Sequence, residues 1–241
     1  MKNFKYVTIA LLFLTSSLIA QSVPDSDEGW QSYRALLQIQ EKSEEKAEAK
    51  QTALKILDTL LSPFEDMIEY ALDKNTQDVE NRYKNIQELK TSKLLKKSIN
   101  AVAYQKVVAD IDKIQTLIKT QNYSDIALVS TSIFKSIVNN FNYSEYVVNQ
   151  IHIENLDGIG FELLSHLSKG SVDYAQLQSI INEAKKSWMF LRNNIKDENL
   201  IDTFDLLFKA LLHATIEHDR EMMKMLALMD LSLVDVLEKQ I

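Results

Sequence analysis

One stretch near the C-terminus decides the fold class: DREMMKMLALMDLSLVDVL, residues 219–237. Its apolar residues recur three or four positions apart, which is the spacing of one face of an amphipathic α-helix. Asp219 precedes the apolar run and belongs to a residue type that favours the N-cap of a helix. We expect one helix here, with a buried face formed by Met222, Met225, Leu226, Met229, Leu233, Val236 and Leu237.

The same spacing recurs along nearly all of the 241 residues. The chain has only four Gly and two Pro, and a β-rich domain of this length would need many more of both for its turns. The pattern therefore predicts an all-α fold, an antiparallel helical bundle with short turns.

Two positions carry specific predictions about helix ends. Residues 62–65, Ser-Pro-Phe-Glu, combine a capping serine, a proline suited to the first helical position and a capping-box glutamate, Glu65. We therefore expect a helix to start there, with a break or kink near Ser62. Gly170 lies in the clearest turn of the chain, where we expect it to end a helix with a positive φ.

The organisation along the chain falls into four parts. Residues 1–20 read as a signal peptide, and residues 21–52 as a polar leader followed by an exposed N-terminal helix rich in Glu, Lys and Gln. Residues 53–141 and 142–241 show a similar succession of helices and turns, which suggests an internal repeat. The chain forms either two tandem four-helix units with these bounds or one longer bundle.

The first 20 residues have the parts of a secretory signal peptide: basic Lys2 and Lys5, an apolar segment at residues 7–14, and small Ala20 at the expected cleavage position. The apolar segment is shorter than the roughly 20 residues that a transmembrane helix needs, and no later segment is apolar enough to span a membrane. We therefore expect an exported protein of the bacterial periplasm, with no membrane span after signal cleavage.

The composition excludes several classes of site. The chain has no Cys, which excludes disulfides, thiol nucleophiles, cysteine zinc sites and covalent c-type haem. Its formal net charge is −7, and it lacks a basic cluster of the kind that binds nucleic acid. It contains no His-Glu-x-x-His motif, no nucleophile elbow and no Walker A motif. We therefore expect neither an enzyme nor a nucleic-acid-binding protein.

The first candidate metal site is a stripe of soft ligands. His218, Met222, Met225 and Met229 share one side of a continuous helix, and thioether and imidazole groups suit Cu(I). The alternative is core packing, since methionine commonly fills irregular cores. If Asp219 caps the helix, His218 lies in the preceding turn and leaves the stripe.

A second candidate metal site groups His152, Glu162 and His166 with nearby Glu154 and Asp157. Glu162 and His166 are one helical turn apart and can touch. Carboxylate and imidazole ligands together suit zinc, iron or manganese. The alternative is a surface ion pair among scattered acids.

Haem held without covalent bonds is a third option. A His and a Met from different helices of a bundle, such as His213 and Met67, can supply its two axial ligands. The sequence requires no cofactor, so copper and haem are cofactors that it allows rather than demands.

Export, helical architecture and the lack of catalytic motifs favour a non-catalytic binding or accessory protein of the bacterial cell envelope. Its partner is then another envelope protein or a small ligand. One alternative is a periplasmic bundle that binds haem, copper or another transition metal, as the Met-rich last helix and the His/acid group suggest. A second is an oligomerising structural protein. Fold alone does not decide among them.

Overall fold

The computed structural model describes residues 27–240, which fold into helices joined by short turns. No β-strand forms among these residues, and one isolated β-bridge pairs Ile99 with Phe141. The predicted all-α helical bundle is confirmed, whereas the predicted signal peptide, residues 1–20, lies outside the described residues. The helices are α1 (Asp27–Leu72), α2 (Thr76–Leu89), α3 (Lys93–Ser98), α4 (Ala101–Lys119), α5 (Tyr123–Asn139), α6 (Val148–Leu167), α7 (Tyr174–Arg192), α8 (Glu198–Ile216) and α9 (Arg220–Leu237), with a 3₁₀ turn at Ser144–Tyr146.

The chain divides into two compact units between Ala49 and Lys50. In the first unit, the helical residues from Gln40 onward are almost all exposed, as their polar composition predicts. The second unit contains α2 to α9 and the buried apolar side chains described next.

Those buried side chains form two clusters. The first core joins the second half of α1 with α2 to α5, and its largest buried side chains include Phe64 and Phe134. The second core joins α6 to α9 and includes Phe204, whose ring stacks on Trp188 at 4.4 Å. Helix α6 belongs to both, because its Phe161 packs in the first core. The internal duplication into tandem four-helix units stays a prediction.

Helix α1 continues through Pro63, so the break expected near Ser62 is absent. A proline inside a helix removes one main-chain hydrogen bond and costs about 3 kcal/mol. Here Leu60 before the proline and Phe64 after it are both fully buried in the first core. Burial on both sides outweighs the local cost, since each such side chain contributes about 1.5–3 kcal/mol. Glu65 therefore lies inside a helix rather than in a capping box.

Gly170 does not adopt the positive φ expected of it. Positive φ values occur instead at Lys74 (55°), Gln121 (52°) and His218 (56°), each just after a helix. In all three turns the next amide bonds the carbonyl five residues earlier at 2.9–3.0 Å, which is the Schellman geometry. The residue that donates this amide also caps the following helix with its side chain: Asn75, Asn122 and Asp219.

Candidate metal centre

The structure removes His218 from the methionine stripe. Asp219 accepts a hydrogen bond from Met222 N at 3.0 Å and caps α9. His218 consequently lies in the turn before the helix, where its ring stacks on Tyr174 at 4.2 Å. The three methionines remain on one side of α9, but that side is exposed: Met222 by 42%, Met225 by 55% and Met229 by 48%.

The predicted buried face of α9 is therefore wrong, because the helix is rotated about its axis relative to the prediction. Leu226 and Leu237 are buried as expected, but Val236 is exposed. Apolar residues occupy most positions of this helix, so two neighbouring faces both show helical spacing, and the sequence favours the one that avoids Asp230. The structure buries the other, which consists of Met223, Leu226, Ala227, Asp230, Val234 and Leu237.

The members of the second predicted site have separate partners. His152 Nδ1 lies 3.3 Å from Ser187 Oγ. Glu162 accepts a hydrogen bond from Lys135 Nζ at 2.6 Å. His166 Nε2 lies 3.1 Å from a glutamine nitrogen on α7, and burial lowers the pKa of both histidines. These three residues do not come together as ligands of one ion.

His213 and Met67, the pair named as possible axial ligands of haem, also lie in different environments. Met67 is fully buried in the first core, whereas His213 is exposed on α8. A common axial pair from these two residues therefore has no support in the fold.

Three carboxylates from two helices do meet. Glu65 lies on α1, and Glu154 and Asp157 lie one turn apart on α6. One oxygen of each lies within 4.8 Å of the others, the one such group of His, Asp and Glu side chains among the described residues. We call these three residues the acidic cluster. Each of them is half-buried.

Local structure explains how the cluster assembles. Glu154 and Asp157 share one side of α6 because residues three apart in a helix are neighbours. The continuous course of α1 through Pro63 places Glu65 between the buried side chains of Phe64 and Met67. Anchoring on both sides thus holds the Glu65 carboxylate at the edge of the first core.

Burial raises the pKa of all three carboxylates. The pKa of Glu65 rises to about 8 and that of Glu154 to about 7, chiefly because burial disfavours the charged form. The pKa of Asp157 is raised well above its usual value by the same cause and by the neighbouring carboxylates. Gln150 Nε2 donates to Glu154 Oε1 at 2.8 Å, which opposes the increase. Every charged side chain that acts on the three groups is acidic.

Asp230 lies outside the acidic cluster, but its charge acts on one member of it. Its side chain on α9 is 1% exposed, and Oδ1 has no hydrogen-bond partner among the described residues. Burial raises the pKa of Asp230 to about 8, and its charge raises the pKa of Asp157. A buried oxygen without a partner costs about 1–3 kcal/mol, and more when it is charged.

Gly160 allows α9 to come this close to α6. A Cβ atom at this position would lie 2.6 Å from Leu231 Cδ2 and 3.2 Å from Asp230 Oδ2. The missing side chain therefore makes room for both residues of α9. Glycine is needed here for packing and not for its backbone conformation, since Gly160 has no positive φ.

We expect Gly160→Ala to lower the free energy of unfolding by about 1–3 kcal/mol, because the added methyl group displaces Leu231 from a packed interface. Gly170→Ala is the matched control, since no atom lies within 4 Å of its Cβ position. That change should stay within about 0.5 kcal/mol of the parent. Urea unfolding of both variants measures the difference. Equal unfolding midpoints for the two variants would contradict the close approach of α9 to α6.

The donor set determines which ions suit the site. All ligand atoms are carboxylate oxygens, which Ca²⁺, Mg²⁺ and Mn²⁺ prefer. Imidazole and thioether groups, which suit copper and haem iron, are absent from the cluster. A divalent cation would also neutralise carboxylates that have no basic partner among the described residues.

Comparisons of the chain with protein-family models, curated proteins and solved structures gave no significant match. Within residues 27–240, no helix combines the length and the apolar character that crossing a membrane requires. The interpretation of the cluster therefore rests on its own geometry and chemistry.

Sequence reasoning identified half of these carboxylates. Glu154 and Asp157 belong to the second predicted site through their nearness to His152, Glu65 belongs to the predicted capping box, and Asp230 is not among the predicted site residues. The usable signal for Asp230 is its position as the one acid within the apolar run from Met225 to Val234. A single charge inside such a run either faces solvent or is buried for a purpose.

Proposed function

We propose that this chain is a non-catalytic binding protein of the bacterial cell envelope whose ligand is a hard divalent cation. The observation that carries the proposal is the acidic cluster, with ligand oxygens of Glu65, Glu154 and Asp157 within 4.8 Å of one another. The charge of Asp230, which raises the pKa of Asp157, supports it as a further acidic group that acts on the cluster. Oxygen donors favour Ca²⁺, Mg²⁺ or Mn²⁺ over copper and haem, which the sequence allows without requiring them.

Cation binding should be coupled to proton release. The pKa values of Glu65 and Asp230, about 8, and of Glu154, about 7, mean that these groups hold protons near neutral pH. A cation must displace those protons before it binds. Affinity should therefore rise as the pH increases from 6 to 9.

The direct test is titration of the chelator-treated protein with Ca²⁺, Mg²⁺, Mn²⁺, Cu⁺ and haem by calorimetry. We expect one hard cation to bind stoichiometrically. Glu65→Gln should weaken its binding by at least about tenfold, or 1.4 kcal/mol, because it removes one charged ligand while keeping the side-chain shape. Glu80→Gln is the matched control, since Glu80 is an exposed glutamate on α2.

Two results would overturn the proposal. One is the absence of hard-cation binding at pH 9, above the pKa values of Glu65 and Glu154. The other is binding that Glu65→Gln and Glu80→Gln reduce equally, which would indicate nonspecific attraction to an acidic surface.

A further inference from the structure

A surface groove lies where the C-terminal ends of α1 and α6 approach the first half of α9. Its volume is about 460 Å³. Small-molecule pockets commonly measure about 300–1,000 Å³, so this groove has room for one small ligand. We call it the α1–α6–α9 groove.

The wall of the groove is apolar over most of its length. Leu72 contributes from α1, Phe161 and Leu164 from α6, and Leu228 and Leu231 from α9. Leu231 lies 11 residues after the first residue of α9, which is about 16 Å along the helix axis. The groove can therefore cover an extended alkyl chain.

Basic side chains line the end of the groove where α9 begins. Lys74 follows the end of α1, Arg220 is the first residue of α9, and Lys224 lies one turn further along. The acidic side chains of the lining are Glu69 and Asp73, both on the α1 side. Burial and nearby acids raise the pKa of Glu69, which makes this carboxyl easier to neutralise. The lining therefore has more basic than acidic groups, in a chain whose formal net charge is −7.

Arg220 is held in place by main-chain carbonyls. Its side chain is half-buried, Nε donates to the carbonyl oxygen of Leu167 at 2.9 Å, and Nη2 donates to that of Lys169 at 2.6 Å. Among the described residues, Nη1 has no hydrogen-bond partner and Arg220 pairs with no carboxylate. A fixed guanidinium with free N–H groups is well suited to bind a carboxylate or a phosphate.

The basic end of the groove lies away from the acidic cluster. On α1, the groove residue Glu69 follows Glu65 of the cluster by one helical turn. On α6, Phe161 follows Asp157 in the same way, so the cluster lies beyond the far end of the groove. An anionic group would be repelled at that end and attracted where α9 begins. The charges thus give a direction to any bound anion that has an apolar chain.

We propose that the α1–α6–α9 groove binds a small amphipathic anion, whose carboxylate or phosphate head contacts Arg220 and whose single alkyl chain lies along α6 and α9. Leu164, Leu228 and Leu231 supply the apolar contacts. An extended dodecyl chain is similar in length to the apolar wall, which makes dodecanoate and dodecyl phosphate suitable probes. The inference is independent of the proposed cation site, because no residue of the acidic cluster lines the groove.

The first test is calorimetric titration of the full chain with dodecanoate and dodecyl phosphate, below the concentrations at which they form micelles. We expect one equivalent of at least one anion to bind, and the tighter ligand identifies the head group. Dodecanol should bind at least about tenfold more weakly, because it lacks the charge that Arg220 attracts. The octyl analogue of the tighter anion should also bind at least about tenfold more weakly, since each buried methylene contributes about fourfold. Absence of binding by both anions, or equal affinity for dodecanol, would overturn the proposal.

The second test places the ligand in the groove. Leu228→Glu introduces a negative charge at a groove residue that is 55% exposed, so folding should be preserved, and Leu206→Glu is the control on α8 at 63% exposure. We expect Leu228→Glu to weaken binding of the anion by at least about tenfold and Leu206→Glu to leave it unchanged. Equal affinities of these two variants would show that the anion binds elsewhere.

A third variant tests the contact with the head group. Arg220→Gln should weaken binding of the anion by at least about tenfold and leave the affinity for dodecanol unchanged, because it removes only the charge. Lys209→Gln is the control, since Lys209 is an exposed lysine on α8. An equal loss of affinity for the anion and for dodecanol would show that Arg220 has a structural role and overturn its contact with the head. If circular dichroism shows that Arg220→Gln does not fold, the comparison of Leu228→Glu with Leu206→Glu decides the proposal.

Discussion

Without divalent cations, the protein is expected to lose stability as the pH rises from about 4 to about 8. The folded-state pKa values of Glu65, Glu154, Asp157 and Asp230 all lie above their usual values of 4.5 or 3.8. In this interval the folded protein binds more protons than the unfolded chain, so deprotonation favours unfolding. Stability is highest below pH 4 with respect to these groups, and the loss is complete once the folded state has also released its protons.

The size of this effect should be several kcal/mol, since one unit of pKa shift corresponds to about 1.4 kcal/mol. We expect a decrease in Tm of about 10 °C or more between pH 5 and pH 9 in the presence of chelator. Calorimetry at the two pH values measures it. Excess Ca²⁺ or Mn²⁺ at pH 9 should restore about 3 kcal/mol when its concentration is 100 times Kd. A Tm that stays constant or rises between pH 5 and pH 9 would show that burial does not raise the pKa values of these carboxylates.

Asp230→Asn is expected to have opposite effects on stability and on binding. At pH 9 without cations it removes a fully buried charge whose Oδ1 has no partner, so it should stabilise the protein by about 2–4 kcal/mol. The same change removes a carboxylate beside the cluster, so it should weaken cation binding by at least about tenfold. At pH 5, where Asp230 is protonated, the gain in stability should disappear.

The matched control is Asp235→Asn, which makes the same charge change at an exposed position of α9. Urea unfolding at pH 5 and pH 9 separates the two variants, and calorimetric titration gives their cation affinities. If Asp230→Asn destabilised the protein at both pH values, the carboxylate would have a structural hydrogen-bonding role instead.

The helical fold follows from the sequence because apolar spacing is a local signal repeated along the whole chain. Details that depend on tertiary packing do not follow. The local signal at Ser62-Pro63 indicates a helix start, yet burial of Leu60 and Phe64 in one core keeps α1 continuous. Left-handed turns likewise formed at Lys74, Gln121 and His218 instead of Gly170, because the amide and cap contacts of those turns compensate for the missing glycine.

The acidic cluster was only partly visible for the same reason. Glu154 and Asp157 stand out as a close pair of acids on one helix, but their partner on α1 is 89 residues from Glu154. Sequence spacing carries no information about such a contact. Asp230 is absent from the predicted buried face of α9, and an aspartate normally faces water. A buried charge destabilises the folded state. Predictions from sequence patterns therefore place acidic residues in solvent.

The position of the cluster between the two cores has a consequence for cooperativity. Glu65 is flanked by residues of the first core, and Asp230 by residues of the second, while α6 contributes to both. When the carboxylates are charged and empty, their repulsion acts across the boundary between the cores. Because a proton or a cation would remove that repulsion, we expect the two cores to unfold together when the carboxylates are neutralised and in separate steps when they are charged.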